Sequence, residues 1–164
     1  MSYLLLLSHV RRIRRPGGVT NACQILPTLI TGGQPNAAQL RALKDAGGEI
    51  VLDLRDPMEP RPIDEPEVVA ELGMEYVNIP VRAGSLDDAT LERILTVLRQ
   101  SGDRTVFLHC GSGNRVGGAL IAHLMLDLDL AEQDAVDRAM QAGLRSLELM
   151  EWGLDYARRH QPLP

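Results

Sequence analysis

The segment from residue 105 to residue 126 predicts a strand, a glycine-rich loop and a helix in direct succession. Thr105 to Leu108 form a short, mostly apolar run after a Ser-Gly-Asp turn signal, which indicates a buried strand. From Gly117 onward the sequence is apolar almost all round, as expected of a helix that is buried against a sheet. This order of elements favours an α/β architecture.

The loop between this strand and this helix combines Cys110 with two glycines and Arg115. Backbone N–H groups at the start of a helix form a positively polarised concavity that favours an anion. The same field and a nearby guanidinium favour the thiolate, and the guanidinium can hold two oxygens of a phosphate-like group. We therefore predict Cys110 and Arg115 as catalytic residues, His109 as a hydrogen-bonding support of the loop, and an oxyanion-binding loop of Gly111, Ser112, Gly113, Asn114 and Arg115.

The residues from His109 to Gly117 resemble the H-C-x-x-G-x-x-R-[ST]-G signature of the cysteine-dependent protein tyrosine and dual-specificity phosphatases. The arginine of that signature lies six positions after the cysteine, whereas Arg115 lies five positions after Cys110, and Val116 replaces the usual hydroxyl residue. A cysteine and an arginine with four residues between them are similar to the active-site loop of rhodanese-type sulfurtransferases. Those enzymes carry a persulfide on the cysteine.

Three more segments, Thr31 to Pro35, Ile50 to Arg55 and Tyr76 to Val81, extend the resemblance to a bacterial phosphatase-like family of uncharacterised domains. Its members commonly carry the shortened loop, some are fused to β-lactamase-like hydrolases, and some are labelled sulfur transferases. The resemblance implies a phosphatase-like hydrolase that acts on phosphate monoesters through a phosphocysteine on Cys110. A sulfurtransferase with a persulfide on Cys110 and a non-catalytic anion-binding module remain the alternatives.

A phosphatase also requires a general acid that protonates the leaving oxygen. The related enzymes use an aspartate on a loop upstream of the cysteine, but here the corresponding stretch from Ile79 to Ser85 contains no carboxylate. Asp87 and Asp88 are the nearest acids, although they are also typical of the start of a helix. Asp56 is a further candidate, together with Glu59 from the same proline-rich loop. Sulfur transfer requires no such acid.

Strands and helices alternate along the chain, which predicts a single α/β domain. We expect a parallel-rich central sheet of about four to five strands flanked by helices, with ligands bound beyond the carboxyl ends of the strands. The resemblance identifies this fold as that of the protein tyrosine and dual-specificity phosphatases. We assign residues 1–22 to an N-terminal extension and residues 23–164 to the phosphatase-like domain.

The composition limits the partners of the chain. A net charge of −5 and an aromatic content of 3% argue against nucleic acid, and no apolar run approaches the length of a membrane span. Cys23 and Cys110 are the only cysteines, so reduced thiols in a cytoplasm are the expected setting. We expect a small anionic substrate or a phosphorylated molecule as the partner, with no cofactor and no metal. The sequence leaves the oligomeric state open.

Overall fold

The computed structural model describes residues 18–163. In chain order the elements are β1 (Cys23–Leu26), β2 (Leu29–Gly32), α1 (Ala37–Asp45), β3 (Gly48–Asp53), α2 (Glu65–Glu71), β4 (Glu75–Asn78), α3 (Asp88–Gln100), β5 (Thr105–His109), α4 (Asn114–Leu126), α5 (Glu132–Gln141) and α6 (Leu147–His160). The predicted alternation of strands and helices is confirmed.

The strands form one five-stranded sheet in the order β1-β2-β5-β3-β4. The strand pairs β2-β5, β5-β3 and β3-β4 are parallel, whereas β1 pairs with β2 antiparallel at the edge. The parallel-rich α/β sheet predicted from the sequence is therefore confirmed. Because β5 lies at the centre of the sheet, the loop that follows it emerges in the middle of the carboxyl edge.

Both faces of the central strands are buried. Val51 and Phe107 point into a smaller core that also contains Leu40 of α1. Their neighbours Leu52 and Leu108 point into a larger core beneath the helices on the other face. Since side chains alternate along a strand, burial of both faces explains why β3 and β5 each contain three consecutive large apolar residues.

The helix α4 packs closely against α6 because both helices carry glycine at their crossing. A Cβ atom at Gly118 would lie 2.7 Å from the Leu149 carbonyl oxygen, and one at Gly153 would lie 2.2 Å from the Gly118 carbonyl oxygen. The helix predicted from Gly117 begins three residues earlier, at Asn114. Arg115 therefore belongs to the first turn of α4.

Part of the predicted N-terminal extension lies outside the described residues, since the structure begins at residue 18. Val19 is buried in the smaller core, and the Thr20 carbonyl oxygen accepts a hydrogen bond of 2.8 Å from the Gly33 amide. The last residues of that segment thus contact the domain, and the boundary at residue 22 stays a prediction. None of the helices in residues 18–163 is long and apolar enough to cross a membrane.

Candidate active site

Cys110 lies at the base of the concavity between β5 and α4. Its side chain is buried, and its Sγ accepts a hydrogen bond of 3.1 Å from the Gly113 amide. Gly113 adopts a left-handed conformation with φ +94°, and a Cβ atom there would lie 2.4 Å from the Ala142 carbonyl oxygen. The loop therefore requires glycine at this position both for its backbone conformation and for the space that is available.

The carbonyl oxygens of the loop point away from Cys110. The Gly111 oxygen accepts from the Gln34 amide at 2.9 Å, and the Ser112 oxygen accepts from the Asn21 side chain at 2.6 Å. Because the C=O and N–H groups of a planar trans peptide point in opposite directions, the next amides, at residues 112 and 113, face the sulfur side. The predicted lining of the concavity by backbone N–H groups agrees with this geometry.

Arg115 reaches from the first turn of α4 to the same place. Hydrogen bonds to Glu59 raise the pKa of Arg115, burial opposes this effect, and attraction to Cys110 adds to the increase. A Cβ atom at Gly111 would lie 3.4 Å from Nη2 of Arg115, so the guanidinium lies across the loop. The structure thus brings together the cysteine and the arginine that the sequence singled out.

Two residues of the predicted oxyanion loop are placed differently from the rest. The side chain of Ser112 is exposed, and the Asn114 side chain faces the start of α6. Asn114 Oδ1 accepts hydrogen bonds from the amides of Arg145 at 2.9 Å and Ser146 at 3.0 Å. The Asn114 side chain therefore anchors the loop to a neighbouring segment.

A buried cluster of four charged or titratable side chains lies directly behind Cys110. Arg55 is bound to Asp53 through its Nε at 3.0 Å and its Nη2 at 2.8 Å, and it also pairs with Glu65. His109 Nε2 lies 2.5 Å from Glu65 Oε1, while His109 Nδ1 lies 3.2 Å from the Cys110 carbonyl oxygen. His109 therefore links the loop to this cluster, and its supporting role stays a prediction.

Three members of the cluster carry atoms that metals use as ligands. Ligand atoms of Asp53, Glu65 and His109 lie within 4.8 Å of one another and are buried. The Arg55 guanidinium, however, pairs with both carboxylates, so the cluster contains its own cation. The donor set is consistent with a structural ion-pair cluster. The positive charge of Arg55 would repel an additional divalent cation at the same carboxylates.

The candidate general acids have other partners. Asp87 caps α3 by accepting from the Thr90 amide at 2.7 Å, and Asp88 pairs with Arg159 at 2.8 Å. Asp56 accepts from the Met58 amide at 2.9 Å and also pairs with Arg82. These same hydrogen bonds lower the pKa of each carboxyl group, the Met58 bond having the largest effect on Asp56. The three carboxylates are therefore ionised at neutral pH.

Glu59 is the carboxylate that contacts the predicted site most directly. Its Oε2 lies 2.9 Å from Arg115 Nη2, and its Oε1 accepts from Arg115 Nη1 as well as from the Asp56 amide at 2.9 Å. The hydrogen bond from Arg115 is the main cause that lowers the pKa of Glu59. This bidentate pair fixes the far end of the guanidinium.

The sequence matches a protein-family model over residues 17–149, and that family is described as a DSP-PTPase phosphatase fused to NAD+ kinase. The chain belongs to this phosphatase family. The resemblance to the dual-specificity phosphatases is thus confirmed, and the chain is an enzyme of the protein tyrosine and dual-specificity phosphatase type. A search of curated protein sequences gives no significant match.

Solved structures confirm the fold of this DSP-PTPase family member. A DUF442 protein from Shewanella putrefaciens CN-32 has a TM-score of 0.78 at 21% identity, covering 88% of this chain and 94% of that one. TpbA from P. aeruginosa in complex with pTyr has a TM-score of 0.68 at 20% identity, with coverages of 84% and 83%. The core catalytic domain of the PP-IP phosphatase SIW14 from S. cerevisiae, in complex with citrate, has a TM-score of 0.71 at 12% identity, with coverages of 86% and 91%.

Proposed function

We propose that this enzyme hydrolyses phosphate monoesters, with Cys110 as the nucleophile and Arg115 with the loop amides as the oxyanion-binding groups. The observation that carries the proposal is the position of Cys110 Sγ, which accepts from the Gly113 amide at 3.1 Å and interacts with the Arg115 guanidinium. A thiolate beside donors that converge at the start of a helix is arranged to attack phosphorus and to stabilise the oxygens around it.

The guanidinium of Arg115 serves two partners in this proposal. It has five N–H groups, and Glu59 occupies the end formed by Nη1 and Nη2. The remaining edge, formed by Nε and the other hydrogen of Nη2, presents a second fork to two phosphoryl oxygens. Glu59 therefore acts as a positioning residue, because it holds the guanidinium in one plane while the opposite edge binds the substrate.

The reaction proceeds in two steps. In the first, Cys110 Sγ attacks phosphorus, an S–P bond forms, and the P–O bond to the leaving group breaks. In the second, water attacks the phosphocysteine, an O–P bond forms, and the S–P bond breaks to restore the thiolate. Dihydrogen phosphate is released, and it carries both protons of the water. The loop amides stabilise the equatorial oxygens in both steps.

The substrate class follows from the concavity and its charges. Backbone amides and Arg115 select a small anion or a phosphorylated molecule, since both supply oxygens to the same donors. The related TpbA is seen with pTyr and SIW14 with citrate, which are also anionic. A reducing cytoplasm belongs to the proposal as well, because oxidation of Cys110 would remove the nucleophile.

Sulfur transfer is the second candidate function. It is favoured by the four residues between Cys110 and Arg115 and by the absence of a carboxylate between Ile79 and Ser85. Cys110 would accept a sulfane sulfur from an anion such as thiosulfate, and Arg115 would stabilise the sulfite that leaves. Transfer of the sulfur to cyanide would then restore the thiolate.

The experiment compares the wild-type protein with Cys110→Ser and Cys23→Ser on 4-nitrophenyl phosphate, and on thiosulfate with cyanide. Cys23 is the matched control because it is the other cysteine and lies in β1. We expect hydrolysis of the aryl phosphate that is lost in Cys110→Ser and kept in Cys23→Ser, with a phosphate adduct on Cys110 in mass spectra after rapid quenching. Wild-type hydrolysis no faster than that of Cys110→Ser would reject the proposal. Thiocyanate formation that depends on Cys110 would support the second candidate instead.

A further inference from the structure

The loop that connects β4 to α3 borders the proposed site and carries an arginine. The Val81 carbonyl oxygen lies 3.5 Å from Nη1 of Arg115, so this loop reaches the catalytic guanidinium. Arg82 follows directly and is the only charged residue between Ile79 and Ser85. Its side chain is 60% exposed and pairs through Nε with Asp56. The loop that corresponds to the acid-bearing loop of the related phosphatases thus carries the cation Arg82 and no carboxylate.

The carboxylates next to this loop are acceptors of hydrogen bonds. Asp56 accepts from the Met58 amide and Arg82, and Glu59 accepts from Arg115 and the Asp56 amide. These contacts lower the pKa of both carboxyl groups, so both are ionised at neutral pH. Glu148, in the first turn of α6, accepts from the Gly84 amide at 3.0 Å. In each of these contacts the carboxylate is the acceptor of the hydrogen bond.

We propose that the substrate of this site carries its phosphoryl group on an oxygen that leaves as a stable anion, as in a phosphoanhydride or an acyl phosphate, and that Arg82 binds this anion. The inference rests on the proposed phosphocysteine chemistry of Cys110 and deepens it: the preferred substrates are anhydrides of phosphoric acid, and aryl monoesters are slower substrates of the same site. A phenol has a pKa of about 10, a carboxylic acid of about 4 and a phosphate monoester a second pKa of about 6. Phosphate and carboxylate therefore leave unprotonated at neutral pH, whereas phenoxide gains much more from a proton donor.

Cleavage of such a substrate requires no proton transfer to the leaving group. The Cys110 thiolate attacks the terminal phosphorus, the S–P bond forms, and the bridging P–O bond breaks with its electron pair on the departing phosphate or carboxylate. Arg82 neutralises part of the charge that develops on this anion. Water then hydrolyses the phosphocysteine as described above.

The Arg82 side chain can reach this role because its present pairing is weak. An exposed ion pair adds little to stability and is screened by salt. The pair with Asp56 uses Nε, so the terminal nitrogens of Arg82 keep hydrogen-bond donors for an incoming anion. Arg104 provides a matched control, because it forms a comparable exposed pair with Glu75 next to the amino end of β5, at the opposite edge of the sheet.

The test measures kcat/KM for phenyl phosphate, 4-nitrophenyl phosphate, acetyl phosphate and inorganic pyrophosphate with the wild-type protein, Arg82→Gln, Arg104→Gln and Glu148→Gln. We expect acetyl phosphate or pyrophosphate to exceed phenyl phosphate by at least about 100-fold, which is the effect of a missing general acid. A higher kcat/KM for acetyl phosphate identifies the leaving group as a carboxylate, and a higher kcat/KM for pyrophosphate identifies it as a phosphate. For the preferred anionic substrate, kcat/KM is divided by kcat/KM for 4-nitrophenyl phosphate. We expect this ratio to fall by at least about tenfold in Arg82→Gln and to keep its wild-type value in Arg104→Gln.

Two results would overturn the inference. One is phenyl phosphate turnover within about threefold of the anionic leaving groups, which would indicate a working proton donor. The other is a dependence on leaving-group pKa that becomes steeper in Glu148→Gln, since this would identify Glu148 as that donor. Both results are interpreted only for a protein whose hydrolysis of 4-nitrophenyl phosphate is lost in Cys110→Ser. Hydrolysis that persists in Cys110→Ser would reject the proposed function itself, so failure of the proposed function is distinguishable from failure of this inference.

Discussion

Glu65, the first residue of α2, lies 2.5 Å from Nε2 of His109, and both side chains are completely buried. The other ring nitrogen, Nδ1, faces the Cys110 carbonyl oxygen at 3.2 Å. In the same cluster, Arg55 pairs with both Asp53 and Glu65. The cluster therefore contacts the first peptide of the loop after β5 through the His109 ring.

Replacement of Glu65 by Gln is expected to destabilise the fold. The variant leaves Arg55 and His109 with one buried carboxylate, and removal of one partner from a buried pair costs about 3 kcal/mol or more of unfolding free energy. Urea denaturation followed by circular dichroism measures this loss. Glu67→Gln is the control, because Glu67 lies on the same helix and is exposed. Equal stability of the two variants would contradict the role assigned to the cluster.

Asp53 makes the stability of the protein depend on pH. Burial raises the pKa of Asp53, but the hydrogen bonds from Arg55 and the charge of His109 outweigh this effect and lower the pKa below its ordinary value of 3.8. The unfolded chain therefore binds a proton more readily than the folded chain does. The contribution of Asp53 is complete above about pH 4 and is lost as the pH falls toward its folded-state value.

The measurement is the unfolding free energy from urea titrations between about pH 3 and 6. We expect stability to decrease at the acidic end in the wild-type protein and to decrease less steeply in Asp53→Asn, which lacks the titrating group. Asp137→Asn is a suitable control because Asp137 is exposed on α5, away from the cluster. Identical slopes in the wild-type protein and Asp53→Asn would reject this assignment.

The parts of the site that could be predicted from the sequence lie within one continuous segment. The strand, the loop and the helix from residue 105 to residue 126 are neighbours along the chain, so local patterns place Cys110 and Arg115 together. The helix begins earlier than predicted because Gly113, in its left-handed conformation, ends the loop and directs the chain into a helical turn.

The remaining parts depend on contacts between distant segments. Glu65 and His109 are separated by 44 residues, and Glu59 and Arg115 by 56 residues. No periodicity or spacing relates the members of these pairs. Arg55 follows a strand signal, but its partner Glu65 comes from α2, whose orientation is set by the packing of the smaller core.

Arg115→Ala is expected to weaken the binding of inorganic phosphate by at least about tenfold, because the variant loses a bidentate, charge-assisted contact. Arg115→Lys should recover only part of this affinity, since an ammonium group cannot form the planar fork that pairs with two oxygens. Isothermal titration calorimetry gives both dissociation constants. Arg93→Ala, which removes an exposed arginine of α3, serves as the control. An unchanged dissociation constant in Arg115→Ala would contradict the proposed oxyanion site.

Two glycine variants separate the effect of backbone conformation from the effect of space. Gly73 has φ +70° and nothing within 4 Å of a Cβ atom, so Gly73→Ala should cost only the strain of the left-handed conformation, about 1 kcal/mol. Gly113 has φ +94°, and its Cβ atom would lie 2.4 Å from the Ala142 carbonyl oxygen. Gly113→Ala therefore requires the loop or the segment around Ala142 to move as well.

The loop that moves in Gly113→Ala also carries the amide that donates to Cys110 Sγ. We expect this variant to lose more unfolding free energy than Gly73→Ala and also to lose most of its turnover of 4-nitrophenyl phosphate. Gly73→Ala should keep its turnover, because Gly73 lies between α2 and β4, at the amino edge of the sheet. Urea denaturation and initial-rate kinetics on the same preparations measure both effects. Full activity in a folded Gly113→Ala protein would show that the loop accepts a Cβ atom at residue 113 without losing the geometry that turnover requires.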